Sequence, residues 1–485
     1  MPGQPEIQRG NVDRVPVRWI DAPPPLVATL MFRVGPIDER LKTSGITHLA
    51  EHLALHPLRS HQHPFNGAVY VDHTAFWAAG TPEQVVGFMR DLCRSLSDLR
   101  TERLEAEARV LAAESQATGG SHYTDLLRTW YGPNGPGLVG TAEFGLDWLG
   151  PAHVGAWAGA HFTAENALLT LTGPPPPDLR LNLPVGRYVP VTMPPDDVGF
   201  RPDRQIKLRS QPAGVCLGTV AERSVPLAMA VAMIGRRLRE RLRHDLGLVY
   251  SVQASYEPIS ADDAFIYLGT DCEAAHNEQV SAVFMEQIRE FAAAGPTAEE
   301  MARGVEEPGT GSGLDVAGVV RSELNRLGHD ELLRHRVITQ TEANELRAAA
   351  TAQTVGDAFA AASSRCLVIA APEYDKGLSP RPRRSQNAFR GTLYRPRRWA
   401  NRGIARLIIA DEGVSALADG RWVSIAYGDL ALVTRPTPQT RHLYSRTGGW
   451  MELDAAAYRR GRRIIEHLDA QVPPDTLIPV RRNPA

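Results

Sequence analysis

Residues 27–55, VATLMFRVGPIDERLKTSGITHLAEHLAL, form the stretch on which the interpretation of the whole chain depends. Its alternating apolar start predicts a strand, and the segment THLAEHL further on predicts a helix. His48 and His52 are four residues apart, so a helix places both imidazoles on one face, where they can bind a single ion. Glu51 lies beside them and can accept a proton from a metal-bound water. This order, H-x-x-E-H, inverts the commoner H-E-x-x-H zinc motif; the alternative is a surface helix with two histidines.

A second helix rich in carboxylates follows downstream, in residues 102–116, ERLEAEARVLAAESQ. Glu107 and Glu114 are seven residues apart, or two helical turns, and therefore project from one face. A catalytic zinc site needs three protein ligands and one open position, and the two histidines supply only two of them. We predict that Glu114 is the third ligand and that Glu107 has a catalytic role, either orienting a ligand or holding a proton near the ion. The alternative is that both are ordinary solvated glutamates.

These residues resemble the M16 metallopeptidase family, which includes pitrilysin, insulysin and the mitochondrial processing peptidase. The run from Glu107 to Glu114 is similar to the second motif of that family, E-x-x-V-x-x-x-E, whose last glutamate is the third zinc ligand. Two later segments, GTAE at 140–143 and HFTAEN at 161–166, resemble further signatures of the family and follow in family order. The resemblance implies a zinc-dependent peptidase that binds one Zn²⁺ per chain.

The segment NGAVYVDHTAFW at 66–77 resembles the substrate strand of the same family. A peptide would lie against it as an added strand, with main-chain hydrogen bonds giving affinity and side-chain pockets giving preference. The residues predicted to bind the substrate are Asn66, Thr74 and Phe76.

The fold class implied by the resemblance is α+β, with two homologous domains that each combine an antiparallel sheet with helices and together form half of a clam shell. This is the layout of an M16B-type subunit of two repeats. The C-terminal region changes to short strands and a closing helix, a pattern that resembles a pleckstrin-homology-like (PH-like) fold. The predicted domains are a metal-binding domain at 1–195, a second M16-like domain at 196–375, a basic proline-containing linker at 376–400 and a PH-like domain at 401–485.

The second domain lacks another H-x-x-E-H motif and carries a different run, RHDLGLVY, at 243–250. This run resembles a family motif whose arginine and tyrosine help to hold the substrate and stabilise the oxyanion, which implies catalytic roles for Arg243 and Tyr250. In such proteins two halves close on each other, so we expect a dimer in which this pair reaches the zinc site of the partner. The partner is either an identical chain or another M16-like subunit.

The chain departs from the family between its two metal motifs. Only 61 residues separate His52 from Glu114, which is shorter than the family spacing, and the shortfall lies in the segment HPLRSHQHPF. A competing site made of His48, His52 and His56 is therefore an alternative, although Pro57 predicts that the helix ends first.

Composition excludes some classes of function. The net charge is −2 over 485 residues, which argues against a nucleic-acid partner. The four cysteines show no C-x-x-C spacing and are predicted to be reduced. The N-terminal segment is polar and no run is apolar and long enough to span a membrane, so a cytoplasmic location is expected.

The stretch from Lys376 to Arg398 holds eight basic residues and no acidic one, and it is predicted to be an extended tether. The PH-like region after it is expected to serve in docking or dimerisation.

The function predicted from the sequence is that of a zinc-dependent endopeptidase with Glu51 as its general base. A non-catalytic subunit that binds peptides or supports an active partner is the first alternative, and a structural assembly protein is the second. The substrate is either a specific precursor peptide or a pool of short oligopeptides, and both stay open.

Overall fold

The computed structural model describes residues 7–118, 121–195, 198–208, 213–306, 316–381, 387–397, 404–418 and 420–478. They form an N-terminal unit, a second unit and a C-terminal unit, each with its own sheets. Sheets and helices are mixed throughout, which confirms the predicted α+β class. Among the described helices, none combines the length and the apolar character that crossing a bilayer requires.

The first unit has a sheet in the order β1-β2-β6-β3-β5-β4. Neighbouring strands are antiparallel except for the parallel pair β2 and β6, and β4 forms one edge. Its strands are β1 (Gln8–Val12), β2 (Val15–Trp19), β3 (Leu26–Phe32), β4 (Phe65–Val69), β5 (Thr74–Gly80) and β6 (Ala167–Leu171). Its helices are α1 (Ile46–Leu55), α2 (Pro82–Ser97), α3 (Leu104–Thr118), α4 (His122–Tyr131) and α5 (Pro151–His161).

The start of α1 is held by a buried carboxylate instead of by its own N-cap side chain. The N-cap is Gly45, in the left-handed region at φ +89°. Glu39 accepts hydrogen bonds from the backbone N–H groups of Gly45 at 2.8 Å and of Thr47 at 2.9 Å. Because unpaired N–H groups at a buried helix start are costly, Glu39 helps to fix the position of α1. The helix ends at Leu55 and is followed by a short 3-10 turn, His56–Ser60.

The second unit repeats this layout with the strand order β12-β7-β11-β8-β10-β9. Its strands are β7 (Ile206–Leu208), β8 (Gly214–Glu222), β9 (Gln253–Pro258), β10 (Asp263–Asp271), β11 (Leu367–Ile369) and β12 (Ser379–Pro380). Its helices are α6 (Val225–Arg239), α7 (Asn277–Ala294), α8 (Ala298–Glu306), α9 (Val316–Leu332), α10 (Gln340–Ala349) and α11 (Ala352–Ser364). The two sheets differ in one edge strand. In the first unit this strand, β1, comes from the beginning of the unit, whereas in the second unit it is β12, from the end of the unit.

Each of these two units packs one helix against the sheet of the other. Helix α4 of the first unit buries apolar side chains against strands β7, β8, β10 and β11. Helix α9 of the second unit lies against β2, β3 and β6, with Leu332 packed on Met31 and Leu168. Arg18 and Glu331 form an ion pair across the same contact. These two helix–sheet contacts join the first and second units through both apolar packing and an ion pair.

The C-terminal unit contains a four-stranded and a three-stranded antiparallel sheet around one core, to which a helix adds apolar side chains. Its elements are β13 (Thr392–Tyr394), β14 (Ile404–Ile409), β15 (Gly413–Ala418), β16 (Arg421–Ala426), β17 (Leu430–Thr437), β18 (Thr440–Ser445), β19 (Trp450–Asp454) and α12 (Gly461–Gln471).

The stretch expected to be a linker is used at both ends as sheet. Strand β12 pairs with β7 of the second unit, and β13 pairs with β14 of the C-terminal unit. The predicted tether therefore shortens to residues 381–391 between these strands, of which 382–386 lie outside the described part of the chain. A proline in β12 does not prevent pairing because the strand is at the edge of its sheet.

The C-terminal unit packs against the first unit beside the loops that precede α1 and α5. Leu41 and Leu138 form an apolar cluster with Leu432 and Ile478. The ring of Tyr444 lies 5.1 Å from that of Phe144, centroid to centroid. This contact covers the loop that carries Glu143.

Candidate metal centre and active site

Helices α1 and α3 bring three potential metal ligands together. His48 and His52 leave the same face of α1, with ring centroids 5.0 Å apart and ring planes at 89°. Glu114 comes from α3, and its oxygen is 3.9 Å from His52 Nε2. One ligand atom from each of the three residues lies within 4.8 Å of the other two.

A carboxylate contacts the Nδ1 atom of each histidine. His48 Nδ1 lies 3.0 Å from Glu143 Oε1, and His52 Nδ1 lies 3.4 Å from Glu107 Oε2. An ionised carboxylate can only accept, so in the neutral form of each histidine Nδ1 carries the hydrogen and Nε2 keeps its lone pair. This arrangement orients imidazoles for metal binding. Glu107, which the sequence predicts to act beside the ligands, thus lies against His52 Nδ1.

Glu107 also connects the centre to the shortened segment after α1. The residue is 1% exposed, and Arg103 Nε donates to its Oε1 at 3.3 Å. His56 Nδ1 lies 3.6 Å from the same oxygen. His56 therefore faces Glu107, and it does not belong to the group of three residues whose ligand atoms converge, His48, His52 and Glu114. The geometry favours Glu114 over His56 as the third donor.

Glu51 lies between the donors and the sheet. It is 4% exposed, and its Oε2 is 3.7 Å from His52 Nε2. Burial, supported by the nearby charge of Glu114 and opposed by that of His48, raises the pKa of Glu51 to about 7. A pKa near neutrality suits a group that accepts a proton and later returns it.

The two histidines differ in their protonation. Burial opposes the charged form of His48, but the hydrogen bond and the charge of Glu143 outweigh it, and the pKa of His48 is raised. Burial and the neighbouring His48 lower the pKa of His52, although Glu107 and Glu114 oppose that shift. His52 is thus favoured in the neutral form that a metal ligand requires.

Two glycines leave the space that the acidic side chains occupy. A Cβ at Gly67 on β4 would stand 2.0 Å from Glu51 Oε1. A Cβ at Gly45 would stand 2.7 Å from the Cβ of Glu143. Both distances are shorter than a Cβ tolerates, so Gly67 allows Glu51 of α1 to approach β4, and Gly45 allows Glu143 to approach the start of α1.

The predicted substrate residues divide into one exposed and two buried positions. Asn66 lies exposed on the edge strand β4. Thr74 and Phe76 lie on β5, between β3 and β4, and are fully buried. Thr74 Oγ1 donates to the Val34 carbonyl at 2.8 Å, and Phe76 packs on Phe32. The prediction that the side chains of Thr74 and Phe76 contact the peptide is therefore wrong, because both belong to the core next to the edge strand.

Arg243 and Tyr250 lie together in the second unit. The guanidinium carbon of Arg243 is 5.3 Å from the centroid of the Tyr250 ring, and Tyr250 is 85% exposed. Within the described residues, no hydrogen bond or ion pair connects this pair to α1. A large exposed aromatic ring beside a cation is available to a second molecule.

A small pocket opens beside His48, on the side of Glu143. Its volume is about 200 Å³ and its apolar walls include Pro36, Val69, Leu138 and Val139. Pockets for whole small molecules usually start at about 300 Å³. The size therefore suits one side chain of a longer ligand.

Sequence reasoning gave no role to Glu143, Gly45, Gly67 or Glu39. Glu143 was visible only as the last residue of the GTAE segment, and it lies 95 positions from His48. The glycines carry no side chain whose chemistry could mark them. A glycine immediately before the metal helix and another after Asn66 were the only signals in the sequence.

The fold and the position of this centre define a protein with the architecture of M16-like peptidases. Residues 186–307 match the family model of the peptidase M16 inactive domain. No curated protein sequence matches the chain. The matched range lies after the residues that form the candidate centre.

Solved structures with similar architecture include three bacterial proteins. A peptidase M16 inactive domain from Pseudomonas fluorescens has a TM-score of 0.59 and 15% identity, over 75% of this chain and 97% of that one. A protease from Helicobacter pylori has a TM-score of 0.61 and 12% identity, over 75% and 99%. The first half of the periplasmic protease PqqL from Escherichia coli has a TM-score of 0.57 and 14% identity, over 76% and 92%. At these identities the likeness establishes the fold alone.

Proposed function

We propose that the protein is a zinc-dependent endopeptidase of the inverted H-x-x-E-H type. The observation that carries the proposal is the convergence of His48, His52 and Glu114 next to the buried carboxylate of Glu51. Three donors with one position left open are the composition of a catalytic zinc site. A buried acid with a pKa near neutrality at the same place is typical of an active site.

The donor set fits zinc in chemistry as well as in number. Zinc prefers imidazole nitrogen and carboxylate oxygen in this combination. Because Glu143 and Glu107 contact the two Nδ1 atoms, both Nε2 atoms are left to donate a lone pair to the metal. When bound, zinc would polarise the scissile carbonyl and lower the pKa of a bound water. Glu51 would take the proton of that water on its carboxylate and return it to the leaving amine.

A peptide substrate would add to the free edge of β4. Strand β4 is paired only with β5 in the described sheet, so its outer N–H and C=O groups can bind an extended peptide. Gly67 of this strand lies against Glu51, and Val69 at its end lines the pocket beside His48. A peptide on this edge would therefore pass the general base and offer one side chain to the pocket.

The chain would act with a partner subunit. We propose that Arg243 and Tyr250 reach the zinc site of a second chain, either in a homodimer or in a heterodimer with another M16-like subunit. Their exposure in the described chain supports this role. We also interpret the C-terminal unit as PH-like, because its four-stranded and three-stranded sheets are followed by one helix.

The second candidate function is that of a non-catalytic subunit that binds peptides or supports an active partner. The match to an inactive domain favours it. That match covers residues 186–307, however, whereas the donors lie between His48 and Glu114. An inactive second half is compatible with a catalytic first half, and the presence of Glu51 beside all three donors supports the catalytic function.

Replacing Glu51 by glutamine tests the proposal. Glu51→Gln keeps the size of the side chain and removes its ability to accept a proton, so we expect peptide hydrolysis to fall by roughly 10²–10⁴-fold. Cleavage of a peptide library by the purified protein, followed by mass spectrometry, provides the assay. Glu105→Gln on the exposed face of α3 is the matched control and should cleave as the wild type does. Equal cleavage by Glu51→Gln and by the wild type would contradict the enzyme function.

A further inference from the structure

A second group of metal-ligating side chains lies where the first and second units meet. Asp72 and His73 are in the turn between β4 and β5, and His329 is near the end of α9. One ligand atom from each of the three lies within 4.8 Å of the other two. The group is distinct from the His48 centre, and the proposed function does not use it.

The distances within this group suit a shared ion. His73 Nδ1 is 2.7 Å from Asp72 Oδ1, and His329 Nε2 is 3.1 Å from both Oδ1 and Oδ2. A hydrogen bond is usually directed at the lone pair of one oxygen. His329 Nε2 faces both oxygens of Asp72, an orientation that a carboxylate also offers to an ion that it binds with both oxygens. Ligand atoms around zinc, with bonds of about 2.0–2.1 Å, stand roughly 3.3 Å apart, so His329 Nε2 is close to the required spacing, whereas His73 Nδ1 would move away from Asp72 Oδ1 by about 0.6 Å.

The surroundings keep these donors in place and largely exclude water. The side chains of Asp72, His73 and His329 are 8%, 13% and 19% exposed. The ring of Tyr70 stacks on that of His73 at 4.4 Å and 8°, which fixes the plane of the imidazole.

The neighbouring cations leave the Asp72 carboxylate available. Arg33 donates to the backbone carbonyl of Asp72 at 2.8 Å, but its ion pair is with Asp38. Arg326 of α9 and Arg223, which follows β8, both lie against Asp330, the residue after His329. Each guanidinium therefore has another carboxylate as its ion-pair partner, and the side chains hydrogen-bonded to the Asp72 carboxylate are His73 and His329.

We propose that Asp72, His73 and His329 form a second binding site for a divalent transition-metal cation of the zinc type. Two imidazoles and one carboxylate are donors that such cations prefer over calcium or magnesium. The ion would join the β4–β5 turn of the first unit to α9 of the second. It would thereby stabilise the packing of α9 on the first sheet and hold the end of the proposed peptide edge.

The test measures zinc in variants that separate the two sites. In His48→Ala/His52→Ala, which lacks the donors of the first site, we expect about one zinc ion per chain by elemental analysis after dialysis against zinc. Adding His329→Gln should remove it. Glutamine can still donate a hydrogen bond to Asp72 but is a poor zinc ligand, so this variant retains the contact between the units. Circular dichroism would verify that it folds.

His61→Ala is the matched control, because His61 Nε2 lies 3.3 Å from Asp91 in a histidine–aspartate pair outside both groups of converging ligands in the described residues. It should keep the zinc. Chelation should lower the Tm of the double variant, and zinc should restore it, whereas the variant with His329→Gln should not respond.

Absence of zinc from the double variant, or zinc that persists after His329→Gln, would overturn the proposal and leave a hydrogen-bonded cluster. Failure of the first site gives a different result: the wild type would hold about one zinc that His329→Gln removes and His48→Ala/His52→Ala retains.

Discussion

The first and second units share one plan but differ in what the corresponding helix buries. Helix α1 follows β3 and α6 follows β8, and these strands hold the same place in their sheets. The face of α1 turned inward carries Glu51 together with the half-buried His48 and His52. The buried face of α6 is apolar and includes Met233 and Ile234.

The difference shows that the fold does not require charged residues at this place. A buried carboxylate costs free energy unless it is paired or changes its pKa, and the pKa of Glu51 is raised to about 7 chiefly by burial. The second unit avoids this cost with methionine and isoleucine. Polar groups that the fold does not need are candidates for chemistry, and this contrast supports a catalytic first unit and a supporting second one.

The comparison is tested most strongly at Gly67, where the first unit makes room for Glu51. In Gly67→Ala the new methyl group would displace the Glu51 carboxylate, because its Cβ would stand 2.0 Å from Oε1. A shift of about 1 Å in a catalytic group can cost on the order of 100-fold, and we expect kcat to fall by this amount while zinc content is unchanged. Gly155→Ala is the control, since nothing lies within 4 Å of that position. Full activity in Gly67→Ala would argue against Glu51 as the base.

A smaller effect is expected when the support of His48 is removed. Glu143→Ala deletes the carboxylate 3.0 Å from His48 Nδ1, and the loss of such a partner typically weakens metal affinity by roughly 10–100-fold. Competition with a chelator of known affinity measures the change. Glu165→Ala is the matched control, since that carboxylate accepts from the Gly186 N–H at 2.7 Å. Unchanged zinc affinity in Glu143→Ala would mean that His48 does not need Glu143 in order to bind the metal.

The smallest effect on hydrolysis is expected in the second unit. Met233→Ala on α6 removes a side chain that is 1% exposed, which should lower the free energy of unfolding by about 2–5 kcal/mol. Zinc content and activity per folded molecule should stay the same. Urea unfolding and elemental analysis of one preparation measure both. A folded Met233→Ala variant without zinc would contradict the assignment of the His48 metal centre to the first unit alone.

Much of the layout was predictable from the sequence because it rests on local patterns. The apolar periodicity before His48, the Ala- and Glu-rich run up to Glu114 and the repetition of strands and helices all act over short distances. Pro57 correctly predicted the end of α1, because proline cannot continue a helix interior.

The remaining features depend on contacts between distant residues. Phe76 resembles a substrate residue in its motif, but only the pairing of β5 between β3 and β4 shows that it is buried. The Glu143 contact with His48 and the His329 contact with Asp72 join residues 95 and 257 positions apart. The glycine at 67 has a role only because a carboxylate from α1 lies against it.

The zinc content of the purified protein tests the central claim most directly. His329→Gln provides the background, so that only the first centre is counted, and His52→Ala and Glu114→Ala are measured in that same background. We predict about one zinc ion per chain in the background protein and close to none in either variant. A background protein without zinc, or zinc that is unaffected by Glu114→Ala, would contradict a metal centre built from His48, His52 and Glu114.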